Sequence, residues 1–225
     1  MPDNKWPLLY NNRPAINVNG LDNGLSQNLL SLLVVEEDIG VQHSEATFNN
    51  WGLVGSRLDY LFSESDTLDV GKQLEVKLQN LPLFIGFISG LKGMYPQGGP
   101  PLLTVEAKNI QRELVKLQDP QGRNIISFVH PLGGHIWTLE YASVREWEVS
   151  LESNTNISKG SIEFKSTRLS GHVVAELNPM LHIKDHVILN NIGSQFSGDY
   201  FVTGVTQLWD QKKGGCTDFT IERTI

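Results

Sequence analysis

Between residues 187 and 225 the sequence reads as strand, tight connection, strand, turn, strand, and this run constrains the fold more than any other. Val187-Ile188-Leu189 is an apolar β run, and Asn190-Asn191-Ile192-Gly193 carries turn chemistry. Residues 200–203 are dense in aromatic and β-branched side chains. Lys212-Lys213-Gly214-Gly215 punctuates the chain, and residues 216–225 then alternate, with Thr217, Phe219 and Ile221 on one face of a final strand.

The rest of the chain repeats this style. Residues 1–14 are polar, carry Pro2, Pro7 and Pro14, and read as an extended arm leading into a short strand at 15–18. The apolar run at 29–35 fits a helix end or a strand, and Val34-Val35 with Gly40 beyond favours strand. At 44–51, Ala46, Phe48 and Asn50 alternate against Glu45, Thr47 and Asn49. Leu74, Val76 and Leu78 point one way and Gln73, Glu75 and Lys77 the other. A turn at 80–82 leads to the strand at 83–89, residues 95–101 are loop by composition, and 102–107 are another strand. Residues 108–117 suit a short helix, and Asp119-Pro120-Gln121-Gly122 marks a domain boundary. Beyond it, 124–129 and 135–141 read as strands, 144–151 as a short helix (Trp147 and Leu151 are four apart), and 161–167 with 171–177 as a hairpin. Many short strands with Gly and Pro turns at about ten-residue spacing indicate a mainly β chain. The expectation is two small tube-like β-barrel domains, residues 1–118 and 119–225, with one or two short helices. No repeat of 20 to 50 residues is visible in the sequence, although the halves could be distant structural duplicates.

Composition narrows the function. The net charge of −7 is spread evenly: residues 1–118 carry 9 basic and 13 acidic residues, and residues 119–225 carry 9 and 12. Binding to a nucleic-acid backbone needs clustered Lys and Arg, so it is not expected. No run approaches the roughly 18 to 20 apolar residues of a membrane span. The first ten residues lack the basic and apolar segments of a signal peptide, which suggests synthesis in the cytoplasm. The single cysteine, Cys216, fits a reducing compartment.

The pattern Gly193-x-x-Phe196-Ser197-Gly198-x-Tyr200-x-Val202-Thr203-x-Val205, followed by a charged turn and a strand ending in Arg223, resembles the C-terminal part of the phage late control D family. The N-terminal half is similar to the same family and to the hub portion of type VI spike proteins. The matching stretches are 14–20, 30–37, 70–78, Leu83-Phe84-Ile85-Gly86-Phe87-Ile88 and 102–107. Together they cover roughly three quarters of the chain. Typical family members are longer, and this chain ends directly after its last strand, so a separate spike protein is expected. The resemblance implies a baseplate hub of a contractile tail or phage-tail-like injection system. Such a hub is a homotrimer in which three chains present six similar barrels. It docks on the tail tube above, on the spike below and on other baseplate proteins, within a virion or injection particle assembled in the host or producer cytoplasm.

The residues that could carry chemistry do not form a recognisable set, so no catalytic, cofactor-binding or metal residues are assigned and no enzyme activity is expected. His182 and His186 have a spacing that binds zinc on a helix, but on a strand they stand about 13 Å apart. His130 and His135 flank a Pro-Gly loop. Cys216 lacks an obvious activating base. Glu36-Glu37-Asp38 lacks the ligand spacing of a calcium loop and reads as a solvated strand end. Glu140, Glu146, Glu148 and Glu152 could supply a glycosidase pair but read as scattered surface acids. Gly71, Gly86, Gly193 and Gly198 read as turns, bulges or close backbone approaches. Two other functions compete with this reading. A tail-associated peptidoglycan hydrolase needs a constellation that is absent from the sequence. A carbohydrate-binding β module could use Trp6, Trp51, Trp137, Trp147 and Trp209, which are widely spread and suit core or interface packing.

Overall fold

The computed structural model describes residues 4–5, 12–38, 41–63, 66–109, 116–118, 124–126, 136–140, 144–158 and 161–224. The strands are β1 (Asn4–Lys5), β2 (Ala15–Val18), β3 (Leu29–Asp38), β4 (Val41–Asn49), β5 (Trp51–Val54), β6 (Arg57–Tyr60), β7 (Gln73–Leu78), β8 (Leu81–Met94) and β9 (Leu102–Lys108). The second half adds β10 (Lys116–Gln118), β11 (Asn124–Ile126), β12 (Ile136–Glu140), β13 (Val144–Ser158), β14 (Ser161–Glu176), β15 (His186–Asn190), β16 (Gly198–Asp210) and β17 (Gly214–Thr224). One four-residue helix, α1 (Leu25–Asn28), precedes β3; Asp22 Oδ1 accepts the Ser26 N–H at 2.9 Å and Leu25 is buried. The chain is mainly β, as its alternation requires.

Thirteen strands share one sheet, and β5–β6 and β10–β11 form separate pairs. Within the large sheet the first half runs β2-β7-β8-β9-β4-β3 and the second runs β12-β15-β16-β17-β14-β13. Numbered within each half, the strand order is the same. The irregularities repeat too. β8 is bulged against β9 between Ile88 and Gly90, and β16 against β17 between Val202 and Gly204. β3 is bulged against β4 between Leu29 and Ser31, and β13 against β14 between Val144 and Glu146. Ile88 exchanges backbone bonds with Gly71 and Lys72, while Val202 does the same with Lys184 and Asp185. Gly71 (φ 88°) and Lys184 (φ 72°) are both left-handed at that corner. The halves are therefore structural duplicates in strand order, but not in every detail: β2 meets β7 antiparallel, whereas β12 meets β15 parallel, and the irregularity between β7 and β8 at Val76–Lys77 is not repeated between β15 and β16.

Each half has its own core. Ile16, Leu32, Ala46, Phe48, Leu74, Val76, Ile88 and Val105 pack in the first; Val173, Val187, Leu189, Tyr200, Val202, Phe219 and Ile221 pack in the second. The alternations at 46, 48 and 50, at 74, 76 and 78, and at 217, 219 and 221 all face inward. Gln79-Asn80, both at positive φ, make the two-residue turn between β7 and β8.

Several expectations are corrected. Among the described residues no ladder joins β2 to β3 or β12 to β13, and both halves lie within one continuous sheet. Residues 144–151 are strand, not helix. Trp147, Val149 and Leu151 recur at the strand period of two, and β13 pairs with β14 from Val144–Ala175 to Ser158–Ser161. Residues 161–176 are one strand whose hairpin partner is β13, not a hairpin in themselves. The helix expected at 108–117 gives way at both ends to β9 and β10; residues 110–115 lie outside the described residues.

Candidate assembly surface

The two halves are joined through β16. Its first residues pair with β15, and its last pair on the same side with β3, from Val205–Glu36 to Asp210–Ser31. Trp209 thereby enters the first half's core, where it packs opposite Leu32, with the Arg13 guanidinium 5.6 Å from its ring.

Glu36 lies at this seam and is buried rather than a solvated strand end. Its Oε2 is 3.1 Å from His182 Nδ1 and accepts the Ile183 N–H at 3.3 Å. A buried carboxylate without partners would be costly, and the loop at 178–185 supplies them. Glu37 is exposed and pairs with His43 at 3.0 Å. Below them, Thr217 Oγ1 donates to Gln207 Oε1 at 2.6 Å, Gln207 Nε2 donates to the Asn178 carbonyl at 2.7 Å, and the Asn178 N–H donates to Thr217 Oγ1 at 2.7 Å. This closed ring of buried polar groups locks the loop to β16 and β17. The cavity at the seam, lined by Glu36, Gln42, Pro179, Leu181 and Gln207, measures about 10 Å³, room for one water at most.

Burial alone would lower the His182 pKa, but the Glu36 hydrogen bond and charge, with the charge of Asp185, outweigh it and raise the pKa above 6.5. A raised folded pKa contributes stability that is fully present below pH 6.5 and is lost as pH rises through the folded value. Urea unfolding of the wild type should therefore show a midpoint that falls as pH rises above 6.5. His182→Gln should lose this pH step. The same pH dependence in both proteins would contradict the assignment.

The motif at 193–205 has a physical basis. Arg223 Nη1 donates to the Ser197 carbonyl at 2.9 Å and Nη2 to the Gln195 carbonyl at 3.0 Å, while its guanidinium lies 4.9 Å from the Tyr200 ring. Tyr200 Oη donates to the Phe196 carbonyl at 2.6 Å. A Cβ at Gly198 (φ 146°) would collide with Arg223. Phe196, Ser197, Gly198, Tyr200 and Arg223 are thus one clamp that fixes the β15–β16 connection. Arg223→Ala removes both charge-assisted bonds. It should cost about 2 kcal/mol and lower Tm by about 4–8 °C, read by calorimetry.

The other candidate residues stay apart. His186 turns to Asp199, 3.1 Å away, and stacks near Phe201, so it does not join His182. Among the described residues no three His, Cys, Asp or Glu side chains come together as a metal-holding group. Cys216 lies half-buried on β17 opposite Leu208 and Glu176. Glu140 lies on β12, and Glu146, Glu148 and Glu152 lie on β13. His130 and His135 lie outside the described residues. Gly71 and Gly193 are left-handed, and Gly86 sits where a Cβ would strike the Lys108 carbonyl.

Sequence reading missed the β5–β6 hairpin. It carries exposed Leu53, Val54 and Leu58, and Trp51 and Tyr60 meet edge-on at 5.3 Å. The signal was Gly55-Ser56 between apolar residues. What the surface offers is strand edges and apolar positions, the material of assembly.

No protein-family model matches the chain, and no curated protein matches it by sequence. Solved structures do. A tail protein from Neisseria meningitidis MC58 superposes with a TM-score of 0.57 at 8% identity, over 95% of this chain and 97% of that one. The 43 kDa tail protein of prophage MuSo2 from Shewanella oneidensis gives 0.54 at 8% identity, over 93% and 96%. An E. coli type VI secretion component, described as structurally similar to the T4 tail proteins gp27 and gp5, gives 0.52 at 12% identity, over 92% and 76%. Over more than nine-tenths of its length, this chain has the fold of these tail proteins and of the type VI secretion component.

Proposed function

We propose that this protein is a structural hub at the baseplate of a contractile phage tail or a related injection particle. Three copies assemble into a ring of six similar units, which adapts the six-fold tail tube to a three-fold spike. The observation that carries this reading is the internal duplication: each chain offers the same strand order twice. Three chains then present six near-equivalent platforms. The division into two tube-like units, residues 1–118 and 119–225, follows the same logic.

The role is docking rather than catalysis. Glu36, His182, Gln207 and Thr217 are spent on holding the seam, around a cavity too small for a substrate. Its partners are a second and third copy, the tube protein, the spike and other baseplate proteins. Deletion of the gene in the producing cell should abolish complete tails, and antibody labelling should mark the baseplate end of the tube. Complete tails formed without the protein would overturn the reading.

A further inference from the structure

The seam inside the chain has an unmatched counterpart. In the second half, β16 continues past its bulge and receives β3 on the edge that β15 has left. In the first half, β8 likewise continues past its bulge, beyond the reach of β7, whose pairing ends at Phe87. Residues 91–94 bond to β9 on one side, and among the described residues no strand pairs their other edge. The strand equivalent to β3 is β13, which pairs only with β14 among the described residues.

Burial marks the same gap. Val70 and Tyr95 are 65% exposed and Leu91 is 41% exposed. The residues at the matching positions of the second half, Ile183, Trp209 and Val205, are 9%, 5% and 4% exposed; Trp209 packs in the first half's core beside β3, and Ile183 and Val205 pack in the second core where β16 pairs with β3. Tyr95 meets Tyr60 edge-on at 6.0 Å and remains open on its other sides. The first half therefore carries an apolar strip and an open strand edge at the place where the second half is closed.

We propose that the open edge of β8 receives β13 of a second copy of this chain, antiparallel, repeating between chains the β16–β3 seam within the chain. The shared bulges fix the register. β3 and β13 align at Leu29 with Val144 and at Ser31 with Glu146; β8 and β16 align at Ile88 with Val202 and at Gly90 with Gly204. Carrying over Val205–Glu36 and Thr206–Val35 places Leu91 opposite Leu151 and Lys92 opposite Ser150. Leu151 takes the register position of the buried Glu36, an apolar residue in place of a charged one, opposite the exposed Leu91. The contact is heterologous: every chain gives one edge and receives another, and the ring closes only by rotation. The proposal rests on the hub reading for the number of copies, three, and on the internal duplication alone for the strands and register.

The test is a disulfide across the new seam. Directly opposed residues of an antiparallel pair lie about 4.5–5.5 Å apart at Cα, within disulfide reach. Lys92→Cys with Ser150→Cys, in a Cys216→Ser chain, should yield covalent dimers and trimers and nothing larger when oxidised in tail particles from producing cells. Lys92→Cys with Glu146→Cys, displaced by about 13 Å along the strand, should not cross-link. Leu91→Arg should leave the Tm of the isolated chain unchanged, yet exclude it from trimers. A trimer by native mass in which the register pair stays uncross-linked, or in which the displaced pair links equally, overturns the seam and leaves the hub reading standing. A monomer within the particle overturns both.

Discussion

Phe219→Asp is expected to leave the protein insoluble or absent from assembled particles. Phe219 is fully buried on β17, between Val173 of β14 and Val205 of β16. The substitution removes a ring whose burial contributes about 2–3 kcal/mol. It also leaves a cavity and places a carboxylate in an apolar core, where neither the charge nor the hydroxyl has a partner. The sum is about 4 kcal/mol or more, the range in which single changes unfold marginal proteins. Glu222→Gln, on the opposite face of the same strand, should change stability by less than about 1 kcal/mol. Measuring soluble yield and the urea midpoint of both tests the register as well as the strand. Normal assembly of Phe219→Asp would mean that β17 does not form the second core.

The second large effect is expected at Gly86. Any Cβ there would run into the Lys108 carbonyl on β9 and the Phe84 ring. Neither can yield, because β8 and β9 are bonded neighbours and Phe84 is fully buried. Gly86→Val should force the strands apart and cost about 3 kcal/mol. Gly90→Ala, whose new Cβ comes nearest to the flexible end of the Glu106 side chain, at 3.2 Å, should cost less than about 1 kcal/mol. Thermal melts of the two variants side by side make the comparison. Equal Tm values would show that the close approach at Gly86 is not a constraint.

Half-buried strands were legible because their period is local. Leu74, Val76 and Leu78, and likewise Thr217, Phe219 and Ile221, announce their face without reference to any partner. β13 was misread because a four-residue spacing puts Trp147 and Leu151 on one face of either a helix or a strand; the intervening Val149 decides for strand. β14 reads in the sequence as two strands, 161–167 and 171–177, yet the residues between them stay in register, with Leu169 opposite Arg223 and Leu151, and Gly171 opposite Ile221 and Val149, in the middle of the sheet. The burial of Glu36 was not legible. Its partner His182 is 146 residues away, and only the β3–β16 pairing brings them together. The duplication was equally hidden, since it resides in strand order and bulge positions rather than in side-chain identity. The equivalents of Gly86 and Gly71 are Tyr200 and Lys184.

The central claim is that three copies of this duplicated chain form one ring. Native mass measurement of the chain within its tail particle, with class averages of that particle viewed down its axis, tests it most directly. The account predicts three copies and a ring of six similar densities around a channel. One copy per particle, or a copy number that is not three, would contradict it.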